Sequence, residues 1–146
     1  MVVSARVYLA ANEYLDASEF LFESDKKYLW VSAVNAALSI EIYLKSCIPS
    51  GCRGHCLLDL FDEIPESFSD KLISLYDGDI RETLKKYDVF LSARYMYEDG
   101  SDNHIDSKIL DFAHWLKDSI YELSCSSRHS PDLVLLEEVK KLQSKN

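Results

Sequence analysis

Glycine and proline are scarce, with 4 Gly and 3 Pro in 146 residues. Sandwiches and barrels need turn residues roughly every 8–12 positions, so this shortage excludes them. No stretch approaches the ~20 apolar residues of a membrane span, and Met1–Arg6 lacks the charged start and apolar centre of a signal peptide. Positive charge is also in short supply. Sixteen Lys and Arg face 25 Asp and Glu, giving a net charge of −9 and a pI near 4.8. An overall basic nucleic-acid binder is disfavoured, while a local basic patch is still allowed.

Several chemical signatures are missing. There is no Gly-x-Gly-x-x-Gly and no P-loop, so the ordinary dinucleotide and phosphate cradles are excluded. The four histidines, His55, His104, His114 and His129, form no His-Glu-x-x-His pair, which excludes a zinc protease of that kind. The Glu-x-x-His pairs of di-iron bundles are absent too. Cys47, Cys52 and Cys56 cluster with His55, and Cys125 stands alone, but the spacing lacks the two separated clips of a structural zinc site. The expectation is four free thiols in a reducing cytoplasm, with no metal and no cofactor. Glu98, Asp99, Asp102 and Asp106 around His104 fail the calcium-loop spacing and read as a solvated acidic loop.

What is present is helical periodicity. Hydrophobic residues make up 47% of the chain and charged residues 28%, enough for one packed domain over residues 1–146. Residues 3–23 carry Val3, Val7, Ala11, Tyr14, Leu21 and Phe22 among acidic residues, the pattern of a helix with one buried face. Ser24-Asp25 ends it and caps the next. From Lys26 to Cys47 the chain is apolar nearly all round, as suits a central helix. Small polar residues Ser32, Asn35 and Ser39 form a stripe there for close packing. Glu41 and Lys45, four apart in the favourable order, predict an ion pair.

Pro49-Ser50-Gly51 breaks the chain. A short helix from His55 to Glu63 is predicted next, stopped by Pro65, and another opens at Ser67 or Ser69 and runs towards Tyr76. After Asp77-Gly78-Asp79, the residues Ile80, Leu84, Tyr87 and Leu91 trace a helical stripe. Ile105, Ile109, Phe112, Leu116, Ile120 and Leu123 trace another. Pro131 suits the first turn of a C-terminal accessory helix over 131–146, whose narrow apolar edge would dock on the bundle or on a partner. The predicted fold is all-α, an antiparallel up-and-down bundle of four principal helices with short accessory helices.

Two segments carry candidate chemistry. Gly54-His55-Cys56-Leu57-Leu58-Asp59-Leu60 places a histidine at a loop-to-helix entry, and Ser92-Ala93-Arg94-Tyr95-Met96-Tyr97-Glu98 places an arginine amid aromatic rings. Each has a purely structural reading. His55 would cap a helix or bond a carbonyl, and Arg94 would pair with Glu98 or Glu41. Together they would also suit a compact phosphate or base pocket.

The order of these motifs resembles the HEPN domain: a long helix, a second apolar helix carrying Glu41-x-x-Leu44-Lys45, a loop, Gly54-His55-x-Leu57-x-x-Leu60, then Ala93-Arg94-Tyr95-x-Tyr97-Glu98 before the last long helix. The resemblance spans roughly residues 3 to 124. It implies a helical bundle that commonly dimerises. Many members are metal-independent ribonucleases of toxin–antitoxin, phage-defence and RNA-processing systems. Others are non-catalytic binding modules, some acting beside a nucleotidyltransferase.

Active members place Arg and His four to six residues apart, whereas nine residues separate Arg94 from His104. The leading expectation is therefore a non-catalytic nucleotide-, RNA- or protein-binding component of a defence or toxin–antitoxin system. It would bind through Lys45, His55, Arg94 and Tyr97, as a cytoplasmic homodimer with an antitoxin or nucleotidyltransferase partner and no membrane. One alternative is a metal-independent endoribonuclease with Arg94 and His104 as catalytic residues, His104 or His55 acting as acid or base and Arg94 stabilising phosphate charge. The other is an unrelated helical interaction domain, with Tyr95, Tyr97 and Trp115 in the core.

Overall fold

The computed structural model describes residues 3–49, 51–88, 107–126, 137–138 and 140–145, the side chain of Lys26 excepted. Among these residues there is no strand, and the chain forms an all-α bundle. Its helices are α1 (Ala5–Ser24), α2 (Leu29–Ser46), α3 (Leu57–Glu63), α4 (Glu66–Leu75), α5 (Ile80–Asp88) and α6 (Lys108–Ser126). Residues 137–138 and 140–143 are also helical. No described helix is long and apolar enough to cross a membrane.

Ser4 starts α1, its hydroxyl accepting from the Val7 N–H at 3.4 Å. The Ser4 N–H donates to the Ser46 carbonyl at 2.8 Å, so the start of α1 is tied to the end of α2. Asp25 turns the chain between them, accepting from the Lys27 N–H at 3.2 Å. With residue 4 opposite 46 and residue 18 opposite 32, α1 and α2 are an antiparallel pair.

The buried face of α1 differs from the sequence expectation. It is Tyr8, Ala11, Asn12, Leu15 and Ser18, while Val7 is half-buried and Tyr14 is exposed. The stripe is rotated because two polar residues find partners inside. The Tyr43 hydroxyl donates to Asn12 Oδ1 at 2.6 Å, and Ser18 bonds Ser32 across the interface. A hydropathy pattern scores both positions as surface.

As expected, α2 is central, packing on α1, α3 and α6. Ala33, Ala36, Ala37, Ser32 and Ser39 are buried and let the neighbours approach closely, whereas Asn35 is only half-buried and returns its amide to the Val31 carbonyl. α3 begins at Leu57, so His55 lies in the loop before it and Cys56 takes the N-cap position. α4 begins at Glu66, one residue before the earlier predicted start, because the Pro65 carbonyl already accepts from Phe68 and Ser69 at 2.8 and 3.0 Å. Asp79 caps α5, its Oδ1 accepting from the Arg81 and Glu82 N–H groups at 3.0 and 3.2 Å. Ile80, Leu84 and Tyr87 are buried as predicted, and Leu91 of that stripe lies outside the described residues.

On α6, Ile109, Phe112, Leu116 and Ile120 face the core. The C-terminal segment touches α1: Glu137 Oε1 accepts from Asn12 Nδ2 at 2.8 Å, and Lys140 pairs with Glu13 at 3.8 Å. The predicted helix start at Pro131 lies outside the described residues.

Candidate functional site: a buried glutamate holding a lysine and a histidine

The last two turns of α2 present Glu41 and Lys45 on one face, as their spacing of four requires. α2 is followed by a loop that turns at Ile48–Gly51, where Gly51 adopts φ +70°, a left-handed conformation that glycine takes without steric cost. The returning chain then lays His55 over the end of α2.

One carboxylate oxygen collects both groups. Glu41 Oε1 accepts from Lys45 Nζ at 2.5 Å and from His55 Nδ1 at 2.9 Å. The three side chains differ sharply in exposure: Glu41 6%, Lys45 21% and His55 78%. A carboxylate oxygen only accepts, so the proton of this bond sits on His55 Nδ1. Nε2 of the same exposed ring is then left for an outside partner. The geometry is that of an anchored imidazole with an ammonium group beside it, where the buried carboxylate fixes both positions.

The next step of the chain is fixed as well. The Leu57 N–H, at the start of α3, donates to Asp88 Oδ1 at 2.9 Å, so the end of α5 closes over the loop that carries His55. This cap arrives from 31 residues away and was not visible in the local sequence. Cys47, immediately after α2, is fully buried with its thiol against the Tyr43 carbonyl at 3.6 Å, and burial pushes that thiol up to about 12. The four cysteines are free thiols. Among the described residues, no group of three or more His, Cys, Asp and Glu side chains is placed to hold a metal ion.

Of the predicted site residues, the structure brings Lys45 and His55 together. Arg94, Tyr97 and His104 lie outside the described residues, as do the acidic loop around His104 and the proposed pairing of Arg94 with Glu98. The predicted Glu41–Lys45 ion pair is present. The link from Glu41 to His55, 14 residues apart, was missed because no helical spacing encodes it; the only signal was that both residues belonged to one family-like motif set. Neither structural role expected for His55, a helix cap or a carbonyl bond, is the one found.

Comparison with family models, curated proteins and solved structures gives no match to this chain.

Proposed function

We propose that the chain is a HEPN-like helical module that binds RNA or nucleotide phosphate without cleaving it, as a component of a defence or toxin–antitoxin system. The observation that carries this reading is the Glu41 carboxylate holding Lys45 and His55 together at the end of α2. A phosphate oxygen would accept from the ammonium and from a protonated imidazole, both aimed by one buried anchor. Arg94 and Tyr97 complete the proposed site, as a further cation and a stacking ring. The four-helix up-and-down arrangement and a cytoplasmic homodimer are parts of the same proposal, and so is an antitoxin or nucleotidyltransferase partner.

Fluorescence anisotropy with a labelled single-stranded RNA tests it. His55→Ala and Arg94→Ala are expected to weaken binding, and losing one phosphate contact lowers the slope of log affinity against log salt by about 0.7. Binding unchanged in both variants would rule the site out.

A second reading, a metal-independent endoribonuclease, is favoured by one detail. A histidine held through Nδ1 by a carboxylate, with Nε2 left for substrate, is the arrangement that positions an acid–base imidazole. In this reading the base takes the ribose 2′-hydroxyl proton, the oxygen attacks the adjacent phosphate, and the 5′-oxygen leaves with a proton from the acid. A 2′,3′-cyclic phosphate remains. Its test is RNA cleavage in EDTA that disappears in His55→Ala or His104→Ala; intact RNA keeps the binding reading.

A further inference from the structure

A cleft that none of Glu41, Lys45 and His55 lines lies between the α4–α5 turn and the first half of α6. Its volume is about 490 Å³, within the size range of small-molecule sites. Its wall is aromatic. Tyr76 packs against Trp115 with ring centroids 4.7 Å apart, and against Phe112 edge-on at 5.4 Å. Phe112 in turn stacks on Trp115 at 5.6 Å and meets Tyr87 at 5.7 Å. Phe112 and Tyr87 are buried, whereas Tyr76 and Trp115 are half-buried and keep ring surface in the cleft.

The wall is also pinned. The Tyr76 hydroxyl bonds Thr83 Oγ1 at 3.0 Å, and Thr83 donates to the Asp79 carbonyl at 3.0 Å. Gly78, at φ +134°, lies in the turn between α4 and α5, where an added Cβ would touch the Tyr76 ring at 3.5 Å. A rigid, pre-formed ring surface loses little freedom when a flat ligand stacks on it.

Charge selects among flat ligands. Lys86 from α5 and Lys108 from α6 line the cleft, together with Asp77 and Asp111. The Lys86 ammonium already lies 5.5 Å over the Tyr87 ring, so the aromatic surface has a cation in place. An anionic group on a ring stacked at this wall would pair with that ammonium, and Asp77 and Asp111 would accept from the ring's own N–H or O–H donors.

We propose that this cleft binds a planar aromatic ring bearing one anionic group. The group is a phosphate, as in a nucleoside monophosphate, or a carboxylate, as in an aromatic acid. The inference is independent of the Glu41 site.

The chain has two tryptophans, Trp30 and Trp115, so a Trp30→Phe background isolates the residue in the wall. Adenosine 5′-monophosphate and indole-3-acetate are titrated against their neutral parents, adenosine and indole, and against phosphate and acetate alone. Calorimetry on the unsubstituted protein runs in parallel, so that any effect of the background is seen.

At least one anionic ring is expected to perturb Trp115 emission saturably and to bind about tenfold tighter than its neutral parent, while the ringless anions compete poorly. Which ring binds identifies the anionic group. In the Lys86→Ala/Lys108→Ala variant that tenfold preference is expected to vanish with neutral binding unchanged, and His55→Ala is expected to alter nothing. The proposal is overturned if neither anionic ring binds saturably by either measurement. A preference over the neutral parent that is absent, or that survives loss of both lysines, overturns it equally.

Discussion

Ser18 of α1 and Ser32 of α2 exchange hydrogen bonds across the helix interface: each hydroxyl donates to the other's backbone carbonyl at 2.7 Å, with the two oxygens 3.2 Å apart. Both side chains are buried, and the exchange gives each buried hydroxyl an acceptor. Ser18→Ala or Ser32→Ala is expected to cost about 1–2 kcal/mol. The double variant should cost less than the sum, since the contact between the two hydroxyl oxygens at 3.2 Å is already lost in either single variant. Urea denaturation of the two single variants and the double variant measures the coupling, and strict additivity would contradict a cooperative pair.

Glu41 and His55 should separate stability from function. His55 is mostly exposed, and His55→Ala is expected to change stability by no more than about 0.5 kcal/mol. Glu41 is buried under two donors, and Glu41→Ala is expected to cost about 1–3 kcal/mol. In a protein of this size that corresponds to a drop in melting temperature of several degrees. Thermal unfolding of the two variants gives the contrast, and equal losses would mean that His55 supports the fold rather than presenting its ring.

Asp88 should act as a remote helix cap. Its carboxylate replaces the side-chain acceptor that Cys56 does not provide at the N-cap of α3. Asp88→Ala is expected to destabilise by about 1 kcal/mol, with Asp88→Asn recovering much of it, because an amide oxygen still accepts from the Leu57 N–H. Amide exchange at Leu57 reads the effect directly and should accelerate in the alanine variant before global unfolding does.

The thiols and phenols set the alkaline limit. Under native conditions Cys125 should alkylate first, with Cys52 and Cys56 slower, and Cys47 should stay unmodified until the fold opens. Burial raises the Cys47 thiol from 9.0 to about 12, so the folded state keeps a proton that the unfolded chain releases. Stability is therefore fully present below about pH 9 and falls as pH rises towards 12, by up to about 1.4 kcal/mol per pH unit from this group. The buried phenols of Tyr8 and Tyr43 are also pushed up, chiefly by burial, and add to the loss in the same direction above pH 10. Urea midpoints measured between pH 8 and 11 should fall monotonically, with a shallower fall in Cys47→Ala.

The sequence by itself determined the all-α class and the pairing of Glu41 with Lys45. Few turn residues and sustained 3.6-residue periodicity dictated an all-α bundle, and the apolar girth of α2 placed it at the centre. The four-residue spacing of Glu41 and Lys45 was enough to give their ion pair, because a helix brings such positions together whatever surrounds it. Contacts between distant segments were decided only by tertiary structure. Asn12 and Ser18 look like surface residues until Tyr43 and Ser32 arrive to satisfy them, which turns α1 by one position. His55 looks like a helix start until the loop lays it on Glu41, and Tyr76, Phe112 and Trp115 become one wall only when the α4–α5 turn packs on α6. Periodicity reports which face of a helix is apolar, but a polar partner brought from 14 or 31 residues away leaves no trace in it, since loop closure and packing set that contact.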